Sequence, residues 1–199
     1  MSLFRFKPRI AEPAPVAGER VYLRPPRMED HGEWVALRVA SESFLAPWEP
    51  LRHGDEYSRR SWRLRVLGAC EDARRDASYS FLIFTRDRDV MVGGLTLGQV
   101  RRGVAQTATL GYWMGAAWAG KGLMSDAVRA VLAYAFGPLG LRRVEAACLP
   151  HNVASRRVLE RNGFRLEGLA REYLCIAGRW EDHVTYARLA TDPAPPWAS

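Results

Sequence analysis

An α+β fold (α/β by looser naming) is predicted, built on a mixed, mostly antiparallel sheet of seven strands with helices on both faces. Two observations predict it. The hydrophobic period switches between about 3.6 and about 2 residues along the chain, and each switch falls at a proline, a glycine or a charged turn. A third sets the scale: 199 residues, with no internal repeat and no linker long enough to divide them, leave room for one substantial domain.

Val21-Tyr22-Leu23-Arg24 reads as a short strand closed by Pro25 and Pro26. From Met28 to about Ala40, Trp34, Val35, Leu37 and Val39 recur among polar residues, and Glu29 and Asp30 stand where a helix dipole favours acids. A second helix is expected from about Asp55 to Arg74, with Trp62, Val66, Leu67 and Cys70 as its apolar stripe. The period then changes. Tyr79 to Thr85, Val90 to Val100 and Ala105 to Met114 are rich in β-branched and aromatic residues and are separated by Asp-Arg-Asp and Arg-Arg-Gly turns, which suggests an antiparallel meander. After Gly122 the helical period returns through Leu123, Ala127, Val128, Val131, Leu132 and Ala135, and Gly137-Pro138 ends it. Arg143 to Leu149 is a strand, and Asn152 to Arg161 a short helix capped by Asn152 and closed by Asn162-Gly163. Two last strands, about Phe164 to Ile176 and Arg179 to Leu189, turn at Ala177-Gly178. Residues 1–19 are expected to form an N-terminal arm, 20–190 the domain and 191–199 a tail whose prolines cannot continue a sheet.

A hydrophobic fraction of 48% with 26% charge excludes disorder, collagen and coiled coil as descriptions of the whole. The net charge is +7, and every basic residue except Lys7 and Lys121 is arginine. That excess reads either as base composition or as attraction to a phosphate-rich partner, nucleic acid or phosphorylated cofactor, whose oxygens an arginine fork matches. Cys70, Cys148 and Cys175 are odd in number and lack metal-ligand spacing, which argues against a disulfide framework and a zinc site. The longest run free of charge, residues 103–120, carries Gln106, Thr107, Thr109 and four glycines rather than a continuous apolar span, and the opening MSLFRFKPRI has no apolar core of a signal peptide. A cytoplasmic protein without a membrane partner is expected.

Trp118-Ala119-Gly120-Lys121-Gly122-Leu123-Met124 joins a strand directly to an amphipathic helix. The first amides of a helix lack internal partners and sit at its positive end, so a glycine loop there can hold a pyrophosphate on backbone N–H groups. A tight turn that needs glycine for geometry alone would leave the same trace. The Walker spacing fails, because Gly122 follows Lys121 where Ser or Thr would stand. The dinucleotide fingerprint fails too, because the loop comes after four strands.

This loop resembles the acetyl-coenzyme A pyrophosphate loop of the GCN5-related N-acetyltransferases (GNAT), although Ala117 stands where that pattern has Gln or Arg. Asn152-Val153-Ala154-Ser155, followed by Leu159-Glu160-Arg161-Asn162-Gly163-Phe164, is similar to the family's later motif. Glu167-Gly168, Tyr173 to Ile176, Gly178 to Val184 and the stretch Phe44-Leu45-Ala46-Pro47-Trp48-Glu49-Pro50 are similar to the ribosomal-protein-alanine N-acetyltransferases, of the RimJ/RimL type. The resemblance covers roughly Arg20 to Leu189 and implies the GNAT fold, acetyl-coenzyme A as co-substrate, no metal, and direct attack of an amine on the thioester.

It also implies roles. Tyr112, Trp113 and Met114 would offer an open strand edge to thioester and pantetheine, where one backbone N–H aimed at developing negative oxygen contributes roughly 3–4 kcal/mol. Gly120, Lys121, Gly122, Leu123 and Met124 would hold the pyrophosphate, with Lys121, Arg156 and Arg157 near the phosphates. Asn152 would cap its helix and contact pantetheine. Ser155 is the candidate acid for the departing thiolate, or fills out the first helical turn. An α-amino group of pKa near 7.7–8.0 is already about 10–20% neutral at pH 7, whereas lysine at about 10.4 is not, so a protein N-terminus needs only a positioned base. Glu172 and Glu49 are candidates, then His151, each of which also reads as a salt-bridged surface group. The glutamate that one ribosomal branch uses on its sixth strand is Leu174 here. Phe44, Trp48 and Tyr173 would wall the acceptor site, or belong to the core.

The leading expectation is acetylation of a protein N-terminus, that of a ribosomal protein, by a monomer or homodimer with weak RNA or ribosome contact. The alternatives are acetylation of an aminoglycoside or polyamine, and an RNA-binding ribosome-assembly factor, whose binding would fall steeply with salt.

Overall fold

The computed structural model describes residues 15–51 and 54–193. Eight strands form one sheet: β1 (Val16–Ala17), β2 (Val21–Arg24), β3 (Tyr79–Thr85), β4 (Met91–Arg101), β5 (Thr107–Met114), β6 (Arg143–Cys148), β7 (Arg165–Ile176) and β8 (Arg179–Leu189). Their order is β1-β2-β3-β4-β5-β6-β8-β7, and every pair is antiparallel except β5–β6. The expected count of seven becomes eight because Val16 and Ala17, placed in the arm, pair with Leu23 and Tyr22. The rest of the arm (1–14) and most of the tail (194–199) lie outside the described residues.

Five α-helices flank the sheet: α1 (His31–Ala40), α2 (Glu42–Leu45), α3 (Arg59–Arg74), α4 (Leu123–Phe136) and α5 (Val153–Arg161). Period 2 on β3 assigns the two faces. Tyr79, Phe81 and Ile83 point into the large core with Leu123, Val128, Val131 and Leu159 of α4 and α5. Leu82 and Phe84 meet Trp34 of α1 and Trp62 of α3 on the other side. The expected stripe of α3 is corrected: Trp62 is buried and Val66 half-buried, but Leu67 and Cys70 are exposed, and the inward row continues through Ala69 and Ala73. The helix also starts later than Asp55, at Arg59, where the Ser58 hydroxyl accepts the Ser61 amide at 3.1 Å.

One buried carboxylate fastens α4 to the sheet edge. Asp126 accepts the amides of Glu19, Arg20 and Val21 at 3.1, 2.8 and 3.1 Å. A carboxylate satisfied by three backbone donors tolerates burial. It fixes where the chain enters β2 relative to the helix that follows the glycine loop.

Candidate functional site

The site begins as a split in the sheet. β5 and β6 pair only from Thr107–Arg143 to Leu110–Ala146. Beyond that point β6 stays with β8 through Ala147 and Cys148, and β5 stays with β4 through Met114, so the strands part. The Gly115 amide donates to the Val92 carbonyl at 2.8 Å. The alternation of an antiparallel ladder then turns the N–H and C=O groups of Tyr112 and Met114 away from β4 and into the gap. A cavity of about 510 Å³ opens there, and Tyr112, Trp113 and Met114 all line it.

The glycine loop forms one end of this cavity. Gly120 (φ +74°) and Gly122 (φ +79°) both hold the left-handed conformation that glycine adopts without strain. Among the described residues, no group accepts a hydrogen bond from the main-chain amides of residues 120–125, and the first bond of α4 runs from the Asp126 amide to the Gly122 carbonyl at 3.2 Å. Gly120, Gly122, Leu123, Met124 and Ser125 line the cavity. Free amides at the positive end of a 14-residue helix suit a diphosphate in charge and in hydrogen bonding. Lys121 is not in the lining: its ammonium lies 5.1 Å over the Trp118 ring, and its carbonyl accepts from Arg20.

On the α5 side, the Asn152 Oδ1 accepts the Ser155 amide at 3.0 Å, which caps the helix. The Ser155 hydroxyl lies 2.9 Å from the Tyr112 hydroxyl across the gap. Burial pushes the Tyr112 hydroxyl above its ordinary pKa, which keeps it a proton donor at neutral pH. Cys148 lines the same wall, and burial raises its pKa as well, so it stays a thiol. Arg157 lines the cavity, whereas Arg156 is taken up by the Tyr186 hydroxyl and the Pro150 carbonyl.

On the opposite side, Phe44 and Trp48 line the cavity from α2 and the 3₁₀ turn after it. Glu49 also lines it, paired at both oxygens with buried Arg38 at 2.7 and 2.6 Å. Arg38 in turn lies 4.7 Å over the Trp113 ring. His151 is exposed beside the Trp48 ring at 5.5 Å. Glu172 sits at an irregularity of β7 with φ +47°; it is exposed, its amide donates to Asp182, and it is not in the cavity lining. Tyr173, half-exposed and likewise outside the lining, sets its ring 5.7 Å from His183.

Two lining residues, Arg161 and His183, lie within stretches similar to the family, but the resemblance implies no role for either. The signal for His183 is alternation. Tyr186 of β8 bonds to Arg156 and Glu160 of α5, so Val184 and Tyr186 share that face and His183 points to the other.

Comparison with known proteins agrees with this geometry. Residues 20–165 match the family model described as an acetyltransferase (GNAT) domain. A probable N-acetyltransferase of Bacillus subtilis, YjcK, is 40% identical over 88% of this chain and 97% of its own length. The [ribosomal protein uS5]-alanine N-acetyltransferase of Escherichia coli is 36% identical over 84% of this chain and 88% of its own. The solved structure of Mycobacterium smegmatis RimJ in complex with CoA-disulfide superposes with a TM-score of 0.86 at 34% identity, covering 92% of this chain and 91% of that one.

Proposed function

Because the chain belongs to the GNAT acetyltransferase family and is an acetyl-coenzyme A-dependent N-acetyltransferase, we propose that its acceptor is the α-amino group of a protein N-terminus, that of a ribosomal protein in the cytoplasm. Acetyl-coenzyme A supplies the activated acetyl group. The residues that would bind it are the amides of 120–125 for the diphosphate, the free edge of Tyr112 and Met114 for the thioester arm, and Asn152 beside them. The Met114 or Tyr112 N–H polarises the carbonyl, and Ser155 protonates the departing sulfur. No acyl-cysteine is required, and the Cys148 thiol, held protonated by burial, suits none.

One observation carries the choice of acceptor. Among the described residues, the cavity lining holds a single carboxylate, Glu49, already bound to Arg38, against the guanidinium groups of Arg157 and Arg161. A polyamine or aminoglycoside brings several positive charges into that lining, whereas a peptide N-terminus brings one amine that can lose its proton. The likeness to the uS5-alanine enzyme points the same way. The test is thiol release from acetyl-coenzyme A with peptides beginning in alanine, serine or methionine. Turnover on at least one peptide is expected. Turnover on a polyamine with none on any peptide would overturn the proposal.

A further inference from the structure

We infer that His183 is the base that takes the proton from the attacking amine. This rests on the acyl-transfer reading above and gives a role to a residue of the Gly178–Val184 stretch for which the family resemblance implied none. His183 lies on β8, is 3% exposed, and lines the cavity. Its Nδ1 is 2.9 Å from the Glu181 main-chain carbonyl. A carbonyl oxygen can only accept, so Nδ1 carries the hydrogen and the neutral ring presents its lone pair at Nε2. No described residue hydrogen-bonds Nε2. Among the described residues the sealed side-chain polar atoms without partners are Arg38 Nε and Tyr134 Oη; Nε2 is not among them, and His183 lines the cavity. The edge of Tyr173 at 5.7 Å fixes the plane of the ring.

The placement suits a division of labour. Ser155 and Tyr112 occupy the α5 side of the gap, whereas His183 shares the opposite side with Trp48, Phe44 and Glu49. As the C–N bond forms and the C–S bond breaks, one proton passes from the amine nitrogen to Nε2. Another passes from Ser155 Oγ to the sulfur. Imidazolium and serine then exchange their protons with solvent, leaving amide and free thiol. Other titratable groups near the ring are Tyr173 and Glu172 from β7, Glu181 and Asp182 from its own strand, and Glu49, paired with Arg38, from the cavity wall.

The first measurement is the ¹⁵N spectrum of the imidazoles in the ligand-free wild type, where His183 should show protonated Nδ1 and bare Nε2. The second is the pH profile of kcat. His183→Asn, whose amide can keep the bond to Glu181, should lose about 100-fold in kcat and flatten the acid limb between pH 5 and 8. Its coenzyme A affinity and melting temperature should stay near wild type. Added imidazole should restore turnover to His183→Ala. A protonated Nε2 in the wild type would overturn the inference. So would an unchanged acid limb in His183→Asn, or its loss in Glu49→Gln or Glu172→Gln instead. The wild-type peptide assay reads the acceptor proposal, and the variant-to-wild-type ratio on whichever amine is turned over reads this one.

Discussion

At the scale of the residue, Ser155 serves two structures at once. Its amide completes the Asn152 cap, and its hydroxyl meets Tyr112 across the gap. These functions separate by mutation, because the cap uses the main chain and the proton uses the side chain. Ser155→Ala keeps the cap and leaves the Tyr112 hydroxyl its contact with the residue 155 carbonyl at 3.2 Å. Stability should therefore change by less than about 1 kcal/mol. On the proposed role, kcat should fall on the order of 10²-fold with coenzyme A affinity nearly unchanged. Calorimetry and steady-state kinetics on one preparation check both, and an unchanged kcat would leave Ser155 as a cap alone. The Asn-x-x-Ser spacing is legible in the sequence because both ends of that bond lie within one helical turn. The Arg38–Glu49 pair is not, since it spans 11 residues and a change of element.

At the scale of the element, the glycine loop acts through its backbone. A side chain at Gly120 would meet no protein atom within 4 Å, yet φ there is +74°. Gly120→Val should thus fold, at a cost of about 1–2 kcal/mol in backbone strain. It should bind coenzyme A at least about 10-fold more weakly, because the branched side chain stands where the diphosphate would approach the amides. Isothermal titration with coenzyme A measures the loss, and normal affinity would show that the loop does not hold the phosphates. Strand β3, buried on both faces, is read from its run of aromatic and β-branched residues, whereas helix α4 is easily read from period alone, since its apolar residues recur on the buried side. The stripe of α3 is not: Leu64 and Leu67 are apolar but exposed, at 62% and 54%, while alanines fill the inward row. Hydrophobicity marks an inward face only where the large residues are the buried ones.

At the scale of the whole molecule, Asp76 ties distant parts together. It follows α3, accepts the Tyr79 hydroxyl at 2.7 Å, and pairs with Arg102, which itself donates to the Leu139 carbonyl. Burial alone would raise the Asp76 carboxyl, but the bonds from Arg102 and Tyr79 outweigh it and hold the group below its ordinary value. A depressed carboxyl stabilises the fold fully above its unfolded pKa, near 3.9, and loses that contribution as pH falls through the folded value. Melting temperatures from pH 6 to pH 2 should therefore drop more steeply for wild type than for Asp76→Asn, which starts lower at neutral pH. Equal slopes would remove Asp76 from the account of acid stability.

The sequence by itself determined the element order, the glycine turn, the capped Asn152 helix and the acyltransferase family, because each is written in near neighbours or in contiguous motifs. The parting of β5 from β6, the ion pair that occupies Glu49, and the meeting of His183 with the cavity were decided only by the tertiary structure. Each depends on which edges and faces pack together across the sheet, and residue spacing along the chain does not encode those distances.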